Sequence, residues 1–162
     1  MCKSEIGTIL EKLTQLCPQG YAIALHINFT TPRYLFQSYR KDWSDYYSKK
    51  GWVMHDPTVQ WGFENTGVTS WESLIPADKY GIFAEAAKYG LKFGFVCAIR
   101  SSDSSSFSSF AREDRNYCEA EISQICKLVN ILHDMTLNPE NLSETEIEHL
   151  NQLTSAMPAG NS

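Results

Sequence analysis

Between Glu5 and Phe29 the spacing of the apolar residues changes once, and that change limits what the chain can fold into. Ile6, Ile9, Leu10, Leu13 and Leu16 recur every three or four residues, the period of a helix with one buried face. Pro18-Gln19-Gly20 ends it. From Tyr21 the period is two: Tyr21, Ile23, Leu25, Ile27 and Phe29 fall on one face of an extended segment, and Ala22, Ala24, His26 and Asn28 on the other. A half-buried strand directly after an amphipathic helix predicts a sheet with helices packed on it.

The remaining pattern extends this. Thr30-Thr31-Pro32 reads as a turn and Arg33 to Tyr39 as an antiparallel partner strand. A short helix over Asp42 to Lys50 stops at Gly51, and Asp56-Pro57 opens another. Val68 to Trp71 is a short strand, and Pro76 to Lys88 a helix ended by Gly90. Lys92 to Arg100 and Phe107 to Arg112 are two further strands, with Ser101-Ser102-Asp103-Ser104-Ser105-Ser106 as their loop. Read alone, that serine run resembles an interdomain linker; strands on both sides make it a hairpin loop. From Glu113 to Met135, Tyr117, Ile122, Ile125, Val129, Leu132 and Met135 give the longest helix. The expected fold class is α+β, with a central antiparallel five-stranded sheet between helical layers.

At 162 residues and 43% hydrophobic content, one packed domain is expected. No run has the length of a membrane span, and Met1-Cys2-Lys3-Ser4-Glu5 lacks the apolar core of a signal peptide, so a cytoplasmic location without membrane contact is expected. Cys2, Cys17, Cys97, Cys118 and Cys126 form an odd set without a CxxC pair, which fits reduced thiols. A net charge of −5 argues against direct nucleic-acid binding, because phosphates need a concentrated basic surface.

Functional information concentrates between Tyr39 and Trp71. Tyr39, Trp43 and Tyr47 recur every four residues, which on a helix stacks them along one face. Asp56 follows. Phenol and indole groups donate hydrogen bonds, a carboxylate accepts them, and the rings supply apolar surface, a set suited to a neutral ligand with carbonyls and an amide. Asp56 has a second reading, because Asp is a favoured helix N-cap and Pro a favoured first helical residue; one carboxylate can do both. Catalytic patterns are weaker. His26, His55, His133 and His149 are dispersed without metal-ligand spacing, and HExxH, GxSxG and phosphate-cradling glycine loops are missing. A Cys97–His26 nucleophile pair is the residual catalytic reading, and His55 reads as a loop residue at a pocket mouth.

Trp43-x3-Tyr47, Asp56-Pro57 and Trp71, with Tyr39 before them and Ala87-Lys88-Tyr89-Gly90-Leu91 and Gly94 after them, resemble the autoinducer-binding domain of LuxR-type quorum-sensing regulators. The resemblance covers roughly residues 5 to 136. It implies an α-β-α sandwich related to GAF and PAS sensors, a non-enzymatic small-molecule receptor for N-acyl-homoserine lactones, no cofactor, and a homodimer formed partly through the helix ending at Met135. It also implies roles: Trp43 donates to the lactone carbonyl, Asp56 accepts the ligand amide N–H, Tyr39 donates to the acyl carbonyl, and Tyr47, Trp71 and Val59 pack around them. Ser109, on the strand face shared with Phe107 and Ala111, would meet a 3-oxo or 3-hydroxy group. Two departures bear on chain preference. Gly94-Phe95-Val96-Cys97-Ala98 stands where many relatives have Gly-x-x-x-Pro, and Ala111 where they often have Ser or Thr. Bulky Tyr34, Phe36 and Trp61 could close the acyl cavity early and small Ala111 could open it on the opposite wall, which leaves the preferred chain length open.

Beyond Asn138-Pro139, Leu142-Ser143-Glu144-Thr145-Glu146-Ile147-Glu148-His149-Leu150 resembles the opening of the LuxR helix-turn-helix domain. The expected division is therefore a ligand domain over 1–138, then a linker and the start of a helix-turn-helix-like segment over 139–162. DNA contact would require a helix-turn-helix domain that this chain lacks. Two other expectations stand beside the lactone receptor: a ligand-independent dimerisation partner that antagonises full-length regulators, and a sensor of the same fold for another small molecule.

Overall fold

In the computed structural model, which describes residues 5–101 and 103–155, the helix–strand order begins as the periodicity requires. Helix α1 spans Glu5–Leu16, strand β1 Tyr21–Asn28 and β2 Thr31–Gln37; α2 is Lys41–Lys50, α3 Pro57–Glu64, β3 Gly67–Ser70, α4 Trp71–Leu74 and α5 Ile82–Ala87; β4 Phe93–Ser101 and β5 Ser104–Arg112 precede α6, Glu119–Thr136, and α7, Glu144–Ser155. Cys2 and Ser102 lie outside the described residues. The strands form one five-stranded antiparallel sheet in the order β2-β1-β5-β4-β3.

Helices cover both faces. On one, Ile6 and Leu13 of α1 and Ile125, Val129 and Leu132 of α6 close over Ile23, Leu25, Phe95 and Phe110 of the sheet. On the other, Trp43, Trp52, Trp71, Ile82 and Ala86 pack over Val96 and Ala111. The expected α-β-α sandwich is the fold. Among the described residues no helix is long and apolar enough to cross a membrane.

Four local expectations change. The alternation of β1 breaks at His26, whose φ of 56° accompanies a register shift between Ala24 and Ile27. The irregularity moves Ile27 to the face of Ala22 and Ala24 and turns His26 toward α6, the reverse of strict alternation. Within the serine run, Ser101 and Ser104 to Ser106 are strand rather than loop, Ser101 pairing with Ser104. The run's hydroxyls serve a buried histidine pair, Ser104 Oγ lying 2.6 Å from His26 Nδ1, and Ser106 Oγ and Ser101 Oγ 2.6 and 2.7 Å from the two ring nitrogens of His133. The single helix expected over Pro76 to Lys88 is broken, with Asp78 accepting the Ile82 and Phe83 N–H groups to start α5. The longest helix begins at Glu119, where Glu121 accepts the Cys118 N–H at 2.8 Å.

Helix α7 packs on the sandwich. Leu150 of α7 is buried in the first core, and Glu146 Oε2 accepts the Ile6 N–H at the start of α1 at 3.4 Å.

Candidate functional site

Between the sheet and the α2–α5 layer lies a cavity of about 190 Å³. Its floor is the β1, β2 and β5 face, where small Ala22 and Ala24 leave room; α2, α3 and α5 form the walls and roof. All seven residues singled out from the sequence line it: Tyr39, Trp43, Tyr47, Asp56, Val59, Trp71 and Ser109.

Trp43 and Tyr47 project from α2 with ring centroids 5.8 Å apart. Tyr39 precedes α2 rather than belonging to it, so the four-residue spacing is only partly helical. Its backbone runs against Gly20, where a Cβ would stand 2.8 Å from the Tyr39 Cα; with φ of 119° there, only glycine fits without strain. The Tyr39 hydroxyl donates to the Ser109 carbonyl at 3.1 Å. Trp71, on the first turn of α4, lies on Gly94, where a Cβ would come within 2.5 Å of the indole. Its N–H donates to Ser109 Oγ at 2.8 Å.

Asp56 both caps α3 and faces the cavity. Its Oδ1 accepts from the Thr58 N–H and hydroxyl, each at 2.8 Å, and its Oδ2 from the Tyr47 hydroxyl at 2.7 Å. Burial raises the carboxyl pKa, opposed by these donors. Burial and the adjacent carboxylate hold the Tyr47 hydroxyl in its protonated, donating form. A carboxylate oxygen takes two donors, so Oδ2 retains one open position toward the cavity. The Trp43 indole N–H meets no acceptor among the described residues.

Several lining residues escaped the sequence reading: Leu35 and Gln37 on β2, and Ile82, Phe83 and Ala86 on α5. The face assignments of β2 would have found the first two once its register was known. Tyr34 and Phe36 belong to the opposite core, and Trp61 packs in the helical layer without bounding the cavity, so none of the three shortens it. His55 stacks on Tyr80, centroids 4.2 Å apart, beside the cavity-lining Val53. His26 is engaged on both ring nitrogens, by Ser104 on one side and by the His133 carbonyl and Thr136 hydroxyl on the other. No group of His, Cys, Asp and Glu among the described residues is arranged to hold a metal.

A mostly apolar cavity with a few convergent donors and one buried carboxylate, roofed by helices on an antiparallel sheet, defines a small-molecule sensor domain. The family model of the autoinducer binding domain matches residues 6–135, and the chain belongs to that family, the ligand-binding domain of LuxR-type regulators. Solved structures share the fold. An N-acylhomoserine lactone-dependent LuxR family transcription factor, CepR2 from Burkholderia cenocepacia, is 16% identical with a TM-score of 0.60, over 81% of this chain and 82% of that one. SdiA in complex with octanoyl-rac-glycerol is 18% identical with a TM-score of 0.63, over 96% and 72% of the two chains. A crystal structure of Escherichia coli SdiA is 20% identical with a TM-score of 0.62, over 96% and 74%. No curated protein sequence matches the chain.

Proposed function

We propose that the cavity binds an N-acyl-homoserine lactone and that binding, without chemistry, is the output of this domain. The observation that carries the reading is the unpaired Trp43 N–H on one wall and the open acceptor position on Asp56 Oδ2 on another, inside a cavity whose remaining surface is chiefly apolar. The lactone carbonyl takes the Trp43 N–H and the ligand amide donates to Asp56. Ser109 Oγ accepts from Trp71, which leaves its own hydrogen for the acyl carbonyl; Tyr39 positions Ser109 through its carbonyl. Tyr47, Trp71 and Val59 pack around the head group, and the acyl chain runs over Ala24, Leu35 and Phe107 toward Ile27 and Phe63. The solved relative described as lactone-dependent and the one holding an octanoyl glycerol supply the analogy for a polar head with an acyl tail.

Ligand bound to the folded state alone stabilises it by mass action. In this reading the chain also forms a symmetric homodimer with α6 in its interface, and residues 1–162 do not read DNA. Calorimetric titration of wild type and Trp43→Phe with a lactone series tests the site. Loss of one hydrogen bond from a neutral donor predicts roughly 2- to 12-fold weaker binding in the variant; unchanged affinity removes Trp43 from the head-group contacts.

A further inference from the structure

Gln37 is a polar residue on the cavity floor that the head-group contacts leave unused. In the sheet register Gln37 pairs with Ala22 and Ala22 with Ser109, so the three form one rung across β2, β1 and β5. With strands about 4.8 Å apart, the Gln37 and Ser109 backbones stand roughly 10 Å apart across the small Ala22. The Gln37 Nε2 donates to Ser44 Oγ at 2.9 Å. Ser44 is itself buried on α2, next to Trp43. This tether fixes the amide plane and leaves Oε1 as an acceptor that no described residue engages.

An inventory of the lining then decides the ligand chemistry. The hydroxyls of Tyr39, Tyr47 and Thr58 and the Trp71 indole are committed within the protein. Left over toward the head group are two donors, the Trp43 N–H and the Ser109 hydroxyl, and one acceptor, Asp56 Oδ2; Gln37 adds its Oε1 acceptor and the second hydrogen of Nε2, and the remaining lining hydroxyl, on Thr30, is exposed. An unsubstituted acyl-homoserine lactone offers two amide and lactone carbonyls and one N–H, which answers both donors and Asp56 but leaves Gln37 without a donor. A 3-oxo group adds another acceptor, which sets lone pair against lone pair at Oε1 and leaves that oxygen without a donor. We infer that Gln37 selects an acyl chain carrying a hydroxyl at its third carbon, which donates to Oε1. The carbonyl and the 3-hydroxyl, on alternate carbons, each reach one end of the rung through one hydrogen bond. This inference rests on the lactone reading of the cavity.

The test titrates wild type, Gln37→Met and Ser44→Ala with unsubstituted, 3-hydroxy and 3-oxo lactones of one chain length. Wild type should bind the 3-hydroxy compound about tenfold more tightly than the 3-oxo one, the effect of one hydrogen bond. Gln37→Met should abolish that preference while the variant still binds the unsubstituted lactone, and circular dichroism reports that it is folded. Ser44→Ala, which frees the amide to present its N–H groups, should narrow the preference. If Gln37→Met also loses the unsubstituted lactone, the Ser44→Ala result decides. A 3-oxo preference in wild type, or a 3-hydroxy preference that survives both substitutions, overturns the inference while the lactone site stands. No binding of any lactone overturns both.

Discussion

The Tyr47 hydroxyl donates to Asp56 Oδ2 at 2.7 Å, joining the end of α2 to the cap of α3 across the cavity. A carboxylate that terminates a helix and lines a pocket serves stability and recognition together, and substitution separates the two.

Asp56→Asn keeps a competent cap, because Asn caps about as well as Asp. It removes the charged acceptor from the ligand amide. Hydrogen bonds to charged groups contribute about 1.5 to 3 kcal/mol, so lactone affinity should fall roughly 10- to 100-fold with little change in ligand-free stability. Equilibrium titration and denaturant unfolding of the same preparation check both halves. A destabilised variant with intact affinity would make Asp56 a cap alone.

The same group gives affinity a pH dependence. Burial raises the Asp56 pKa in the empty protein, and the bound amide N–H favours the ionised form. Binding therefore releases a proton at pH values near and below the raised pKa, and affinity should weaken as pH falls through it. Titrations in a pH series should show the loss in wild type and a flat profile in Asp56→Asn.

Stability has a separate acid limb in the histidine pair. Burial, reinforced by His133 and Arg33, lowers the His26 pKa to about 4, and burial also lowers that of His133. The unfolded chain binds more protons in this range, so the stability contributed by neutral His26 is complete above about pH 6.5 and is lost as pH falls toward 4. Chemical unfolding at pH 7, 5.5 and 4.5 should show this decline, and a shallower one in His26→Asn.

Gly94→Ala should damage the site without touching a polar group. The added methyl meets the Trp71 indole at 2.5 Å and the Phe110 carbonyl at 2.6 Å. Overpacking of this kind costs about 1 to 3 kcal/mol, and displacing Trp71 breaks its bond to Ser109. Thermal unfolding and lactone titration should both report losses.

The sandwich was legible in the sequence because helical and alternating periods are local. The cavity set was legible because Trp43, Tyr47, Asp56 and Trp71 fall close together in the chain, and Ser109 follows from alternation with Phe107. Gln37 was not, since its place beside Ala22 depends on the β1–β2 register, which no local pattern shows. The β1 irregularity was hidden because His26 fits an alternating pattern by polarity and departs from it only to reach α6. Serines 104–106 read as loop by composition, while their strand placement depends on His26 and His133, distant in sequence. Leu150 and Glu146 likewise resemble another domain's opening helix locally, and their packing on α1 is a tertiary fact.

Native mass spectrometry of the chain, purified from cells supplied with mixed N-acyl-homoserine lactones, reads the occupancy of the cavity. Wild type should carry one lactone per chain, depleted in Asp56→Asn and Trp43→Phe that are folded by circular dichroism. Folded wild type carrying no lactone, or equal loading of all three proteins, would contradict a lactone site in this cavity.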